Sequence, residues 1–273
     1  MSCTYALFGN PVKHSKSPWL HTAFARQTGK HLTYIAIEAP LDGFRQELDI
    51  FLRRGGMGAN VTAPFKLEAY ALADERRERA ELAGAANCLK FEDGRIIAEN
   101  FDGVGLKRDI EHNIGLPLVG RRVLLLGAGG AARGAIQPFL DAGPARLVVA
   151  NRTLEEALAL EATAPWRGRI NACALSDLGG ESFDMVVNAT SASLFGELPE
   201  FPSSVFHGES LAYELVYGKG LTPFLAFARA SGSCRLADGV GMLVEQAAEA
   251  FHWWRGIRPE TGPMIKQMTV PLG

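Results

Sequence analysis

The sequence predicts an α/β protein of two lobes, each with its own β-sheet and flanking helices. Three observations predict it. Short apolar runs alternate with helical patterns from the start of the chain, which is the rhythm of βαβ units and a mostly parallel sheet. At 273 residues the chain has room for two domains of about 100–150 residues each. A glycine-rich turn between a buried-strand pattern and a helical one opens a second α/β stretch near residue 127.

In the first lobe, TYALFG, LTYIAIEA and MGANVT read as strands, with helices SPWLHTAFARQTG and LDGFRQELDIFLRRGG between them. PFKLEAYALADERRERAELAG reads as one helical region opening at Pro64, since proline suits the first helical position. In NCLKFEDGRIIAEN, Asp93-Gly94 lies between two strand-like runs and predicts a type I′ hairpin, so an antiparallel ribbon closes a mixed sheet. The first lobe is expected to span residues 1–103 and the second 104–239. In the second, GRRVLLLGAGGAARGAIQPFLDAG reads as strand, turn and helix, and ARLVVANR, FDMVVNATS and SLAYELVYG as further strands. The tail GMLVEQAAEAFHWWRG is amphipathic, with Leu243, Ala247, Ala250, Phe251 and Trp254 on one helical face that must be buried.

Apolar residues make up 47% of the chain and charged residues 21%, ordinary globular values, and no apolar run approaches the roughly 18 residues of a membrane span. A net charge of −2 argues against a nucleic-acid or acidic-membrane partner and for a small molecule. The first residues carry no charged segment ahead of an apolar stretch, so the chain is expected to be cytoplasmic. Cys3, Cys88, Cys173 and Cys234 form no CxxC pair and the six histidines no zinc spacing, so neither disulfides nor a metal is expected.

In VLLLGAGGAARGA, Gly127-x-Gly129-x-x-Ala132 follows a strand pattern and opens a helix, the context that makes a glycine pattern a dinucleotide fingerprint. The second lobe is therefore expected to be a Rossmann-like dinucleotide-binding domain, with phosphate on the free N–H groups of the helix start. The next strand ends in Asn151-Arg152-Thr153, without the carboxylate that would take the ribose hydroxyls of NAD. Arg152 suits the 2′-phosphate of NADP instead, although Glu155 and Glu156 lie nearby and repel it.

A dinucleotide lobe preceded by a full α/β lobe points to hydride transfer, with substrate held by the first lobe across a cleft. Lys66, in the first turn of its helix, is the candidate for exchanging a proton with an alcohol, and a surface lysine is the plain alternative. Asp102 could cap a helix, Asn87 could be a turn residue, and Ser17 could cap the helix it precedes. Gln246 flanks the apolar face of the last helix, where a buried amide needs partners.

FGNPVKHSKSP, GANVTAPFK, AANC, NFDGVG, GAGGAAR, NRT, NATS, YGKGLTPFL and DGVGMLVEQAA, in this order, make the chain resemble the shikimate dehydrogenase family over nearly its whole length. The resemblance implies two α/β lobes around a cleft, with the C-terminal helices, 240–273, completing the substrate lobe. It implies reversible NADP-linked reduction of 3-dehydroshikimate to shikimate, a step toward chorismate and the aromatic amino acids. Lys66 would be the acid–base residue, paired with Asp102, and Ser15, Ser17, Thr62, Asn87, Asp102, Tyr217 and Gln246 would hold the polyol carboxylate. Dinucleotide contacts would fall on Gly127, Ala128, Gly129, Gly130 and Ala131, on Asn151, Arg152 and Thr153, and on Thr190, Leu215 and Gly239.

Five positions depart from the family's usual residues, Ala86 among them, where valine is usual. Phe101 replaces a threonine, Cys88 ends a motif that usually ends in threonine, Glu156 stands where a basic residue is usual, and Ser193 replaces a glycine. The expectation is a shikimate dehydrogenase-like paralogue in which Phe101 reshapes the substrate pocket and slows turnover. Quinate or an aminoshikimate is an alternative substrate, though Ser17 leans toward shikimate because quinate users often carry threonine there. A non-catalytic sensor of dinucleotide and shikimate-like ligands is the other alternative, and retention of Lys66 and Asp102 speaks against it.

Overall fold

The computed structural model describes residues 3–233 and 235–272. Its contacts divide the chain into two units, Met1–Gly105 with Val244–Met264, and Leu106–Leu243 with Ile265–Gly273.

The first unit contains β1 (Cys3–Gly9), α1 (Ser17–Thr28), β2 (Leu32–Glu38), α2 (Phe44–Arg53), β3 (Gly56–Val61), α3 (Lys66–Leu72), β4 (Glu75–Arg76), α4 (Glu78–Ala83), β5 (Cys88–Glu92) and β6 (Arg95–Glu99), and α5 (Asp102–Arg108) starts in it. Its strands order as β2-β1-β3-β5-β6-β4. The β2, β1 and β3 pairings are parallel, whereas β5 pairs antiparallel with both β3 and β6. Asp93 and Gly94, at φ 53° and 75°, make the expected I′-type turn between β5 and β6.

The stretch expected as one helix from Pro64 is two short helices around an edge strand. Asp74 N–H donates to the Ile96 carbonyl and Arg77 N–H to that of Ala98, so sheet pairing captures the middle of the stretch. A turn closed by Phe65 N–H on the Thr62 carbonyl delays the helix to Lys66.

Alternation along the strands gives the sheet two buried faces. Ala6 and Phe8 of β1 pack with Phe44, Leu48, Phe51 and Phe65 on one side. Tyr5 and Leu7 share the other with Tyr34, Cys88, Phe101, Ala250 and Trp254. The latter two belong to α9 (Val240–Arg255), which covers this face. Trp254 stacks on Tyr5 at 4.6 Å and donates Nε1–H to the Leu89 carbonyl. A Cβ at Gly58 would lie 2.7 Å from Trp254 Nε1, so only glycine admits the indole there. The expected apolar face is buried at Ala247, Ala250, Phe251 and Trp254, while Leu243 is half-buried and falls in the other unit.

The second unit contains β7 (Arg122–Leu126), α6 (Gly130–Asp141), β8 (Arg146–Asn151), α7 (Leu154–Ala162), β9 (Asn171–Ala174), β10 (Met185–Asn188), β11 (Leu211–Glu214), α8 (Pro223–Ala230) and β12 (Arg235–Asp238). All strands are parallel, in the order β12-β11-β10-β7-β8-β9. Counted from β7 this is the 3-2-1-4-5-6 order of a dinucleotide-binding doubly wound sheet. β9 and β12, four residues each and half-exposed, show no clear strand pattern in the sequence. The last helix, α10 (Gly262–Met268), straddles the division, and the tail after it belongs to the second unit, where Leu272 packs on the core of Phe206, Phe224 and Leu225. That packing is why residues 265–273 do not join the first unit as expected.

Cys3, Cys88 and Cys173 are free thiols, and Cys234 lies outside the described residues. Among the described residues no helix is long and apolar enough to cross a membrane, and no His, Cys, Asp and Glu cluster could hold a metal ion.

Candidate active site

The first unit's candidate residues meet at one end of its sheet because of strand register. Parallel β1 and β3 end side by side, so the loop leaving β1, which carries Ser15 and Ser17, starts against the one leaving β3, where Asn10 N–H donates to the Ala63 carbonyl. Antiparallel pairing sets Asn60 opposite Cys88 and Cys88 opposite Glu99, so Asn87 and the turn from Asn100 to Asp102 reach the same end. Ligands of α/β sheets bind at such strand ends.

Lys66 Nζ donates to Asp102 Oδ2 at 2.7 Å, with the carboxylate side chain 8% exposed and the lysine 26%. Asn87 Nδ2 donates to Asp102 Oδ1 at 2.7 Å and reaches Gln246 Oε1 at 3.2 Å. Lysine, carboxylate and two amides thus form one connected set. Asn87 Oδ1 accepts the Phe101 N–H at 2.8 Å, which fixes the turn carrying Asp102. Asn100 closes that turn by accepting the Asp102 N–H on Oδ1 and donating Nδ2–H to the Ala85 carbonyl. Behind it, Arg79 donates to buried Glu99, which accepts the Asn100 N–H. Burial pushes the Glu99 carboxyl up, opposed by the Arg79 guanidinium.

Ser15 Oγ accepts the Ser17 N–H and also contacts Ser17 Oγ, both at 3.2 Å. Ser17 is the first residue of α1 and not its cap, so its hydroxyl is free of the bland role considered above. Two members of the site, Asn60 and Tyr34, are not among the residues singled out from the sequence. Asn60 accepts from the Tyr34 hydroxyl at 2.8 Å and donates to the Asn87 carbonyl at 3.3 Å, extending the network. A polar residue inside the apolar run of β3 was the signal for Asn60; Tyr34 read as an ordinary strand aromatic.

Phe101 does not shape the pocket as expected. Its side chain is in the core: the residue is 3% exposed and packs with Cys88, Ala250 and Trp254, edge-to-face on Trp253 and under the Arg79 guanidinium at 5.2 Å. With β6 ending at Glu99, the turn points Asp102 toward Lys66 and the phenyl ring to the opposite side, onto the face covered by α9. The ground for a slowed enzyme falls with that correction.

In the second unit, Gly127 follows β7 at φ +106°, and a Cβ there would lie 3.2 Å from Thr190 Cγ2. Glycine is required both by conformation and by close approach of the loop after β10. These loops leave the two strands between which the sheet order reverses, the position where doubly wound folds bind dinucleotides. A Cβ on Gly129 or Gly130 would meet nothing within 4 Å, an open cradle at the start of the 12-residue α6. Ala132, fully buried, lets that helix sit close to the sheet, and half-buried Ala131 and buried Ala128 complete the turn. The cradle fits a pyrophosphate.

β8 ends in Asn151, whose Nδ2 donates to the Thr153 carbonyl and to Glu156 Oε2 at 2.8 Å. Among the described residues, Arg152 is exposed and has no ion-pair partner. Thr190 donates its hydroxyl to Asn188 Oδ1 at 2.7 Å. Gly239 lies against the Leu215 carbonyl, where no Cβ fits. Tyr217 follows on the loop after β11, and burial pushes its phenol up.

A doubly wound sheet with a pyrophosphate cradle, in a chain that also holds a lysine–carboxylate pair at a strand-end site, defines a two-unit α/β protein of the dinucleotide-binding class. The comparisons are more specific. The chain matches models of the shikimate dehydrogenase substrate binding domain over residues 7–89, of shikimate / quinate 5-dehydrogenase over 110–195, and of the shikimate 5'-dehydrogenase C-terminal domain over 239–269. It is 56% identical, over all of this chain and 99% of that one, to a shikimate dehydrogenase (NADP(+)) of Nitrosospira multiformis. The crystal structure of an Ael1 enzyme from Pseudomonas putida is 60% identical with TM-score 0.95, each chain fully covered. Shikimate 5-dehydrogenase from Thermus thermophilus, crystallised with NADP(H) and shikimate, is 32% identical with TM-score 0.85 over 97% of both chains. The chain belongs to the shikimate dehydrogenase family.

Proposed function

We propose that this protein catalyses the reversible NADP-linked interconversion of 3-dehydroshikimate and shikimate, in the cytoplasm, as a step toward chorismate and the aromatic amino acids. The observation that carries the reading is the 2.7 Å bond between Lys66 and Asp102, tied through Asn87 to Gln246. A non-catalytic sensor has no use for a proton-transfer lysine held in this way.

When bound, NADPH supplies the hydride that reduces the substrate ketone. Lys66 holds a proton on Nζ and delivers it to the oxygen that becomes the hydroxyl, and in the oxidative direction it takes that proton back. Asp102 orients the ammonium by a charge-assisted hydrogen bond. Ser15, Ser17, Thr62, Asn87 and Gln246 are proposed to hold the polyol carboxylate, with Tyr217 as a further substrate-binding residue. The backbone from Gly127 to Ala131 takes the pyrophosphate, Asn151, Arg152 and Thr153 take the phosphorylated ribose, and Thr190, Leu215 and Gly239 line the rest of the dinucleotide.

The test is NADP⁺ reduction measured on shikimate, quinate and aminoshikimate, each repeated with NAD⁺. Shikimate with NADP⁺ is expected to give the highest kcat/KM. A higher value for quinate or aminoshikimate reassigns the substrate, and tight binding of both ligands without turnover makes the protein a sensor.

A further inference from the structure

Glu214, the last residue of β11, is an acid that the chemistry above does not use. It is fully buried, and among the described residues no lysine or arginine reaches it. Its carboxylate instead gathers four donors. Oε2 accepts from Ser193 Oγ at 2.5 Å, Asn188 Nδ2 at 3.0 Å and Thr222 Oγ1 at 3.2 Å, and Oε1 accepts the Val216 N–H at 3.2 Å.

The four donors sit on the segments leaving β10 and β11 at the end of the sheet where the Gly127 turn lies. Asn188 closes β10 and passes the connection on, since its Oδ1 accepts both the N–H and the hydroxyl of Thr190. Ser193 belongs to the helical turn Ala192–Phe195 just beyond. Val216 follows Leu215 directly, and Thr222 caps α8 by accepting the Leu225 N–H. Thr190 and Leu215 are both proposed dinucleotide contacts, and each is within two residues of a group bonded to the same carboxylate.

Only an acid serves here. A carboxylate offers acceptor sites alone, enough for all four donors, whereas a carboxamide would turn an NH₂ toward some of them. Burial pushes the carboxyl of Glu214 up, and the bonds from Ser193, Val216, Asn188 and Thr222 oppose it. Ser193 makes the shortest of the four, at 2.5 Å. Because the turn is right-handed helical at Ser193, the backbone has no need of glycine there.

We infer that Glu214 and Ser193 are positioning residues for cofactor binding, a carboxylate and its shortest-bonded donor that together hold the Thr190 and Leu215 loops in the form the dinucleotide meets. The inference rests on the proposed use of NADP. It is tested on the full chain by titrating NADP⁺ and measuring kcat, KM and melting temperature for Ser193→Ala, Glu214→Gln, the double variant and Ser210→Ala. Ser210 is a buried serine at the other end of β11, bonded to the Phe183 carbonyl, and serves as the control for simple loss of stability.

Ser193→Ala should raise Kd and KM for NADP⁺ about ten-fold, the effect of losing one hydrogen bond to a charged group, with kcat at saturating cofactor held within about two-fold. The double variant should bind NADP⁺ no more than about two-fold worse than Glu214→Gln alone, because Ser193 acts through Glu214. Ser210→Ala should melt lower with Kd unchanged. Unchanged NADP⁺ affinity in Ser193→Ala, or affinity falling in step with melting temperature in Ser210→Ala as well, overturns the inference. If Glu214→Gln does not fold, Ser193→Ala against Ser210→Ala decides alone. A wild-type chain that binds no NADP⁺ instead overturns the cofactor assignment, an outcome distinct from normal wild-type binding with indifferent variants.

Discussion

The ring of Phe101 meets that of Trp253 edge to face, with centroids 5.8 Å apart and planes at 71°. The residue next to Asp102 is therefore an anchor to α9, while its backbone N–H serves the site by bonding Asn87. Phe101→Thr removes most of a buried ring and should cost roughly 3–5 kcal/mol, the range for emptying a phenylalanine site. Urea denaturation checks this, with shikimate kcat/KM expected not to rise. Faster shikimate turnover at unchanged stability would return Phe101 to the pocket.

Lys66→Ala should lower kcat by about 10²–10⁴-fold, the usual contribution of a positioned acid–base group, with a much smaller change in shikimate binding. Steady-state kinetics beside a shikimate titration separate the two effects. A variant that keeps near-wild-type kcat removes the lysine from proton transfer.

Arg152 is exposed at the end of β8, and the neighbouring Glu156 is engaged by Asn151. Arg152→Ala should weaken NADP⁺ by about 10–100-fold, the worth of charge-assisted bonds to a phosphate, and leave NAD⁺ nearly unchanged. Equal losses for the two cofactors would show that this residue does not read the 2′-phosphate.

His21 is fully buried and stacks on Tyr34 at 4.2 Å with planes 4° apart. Burial lowers its pKa to about 3, the Asn60 amide opposing the shift. Its folded pKa lies below the unfolded value near 6.5, so the unfolded chain takes up the proton first as pH falls. The stability tied to neutral His21 is complete above about pH 6.5 and is lost progressively down to about pH 3, on the order of 5 kcal/mol in all. His21→Phe keeps a stacking ring without the titration and should flatten melting temperature against pH in that window. An unchanged slope would assign the acid sensitivity to other groups.

Much of the fold was legible locally. Strands β1, β2, β3, β7 and β8 announce themselves as apolar runs, Asp93-Gly94 marks its hairpin, and Gly127 marks the cofactor turn, because each depends on periodicity or on a backbone angle that few residues adopt. β4 was not legible, since its two residues become strand only by pairing with β6. The types of group in the site, a lysine, a carboxylate and two amides, were also readable, and resemblance ordered them.

What the sequence determined by itself was therefore the α/β class, the dinucleotide turn and the chemical inventory of the site. Tertiary structure decided which groups touch and which way they face. Asn87 and Gln246 are 159 positions apart and meet only once α9 lies on the sheet. Phe101 and Asp102 are adjacent in sequence, yet one enters the core and the other bonds Lys66. Ser193 and Glu214 become partners only once β10 and β11 lie side by side. Residue type and spacing record local preference, whereas direction and partnership come from burial and strand register, which are properties of the assembled sheet.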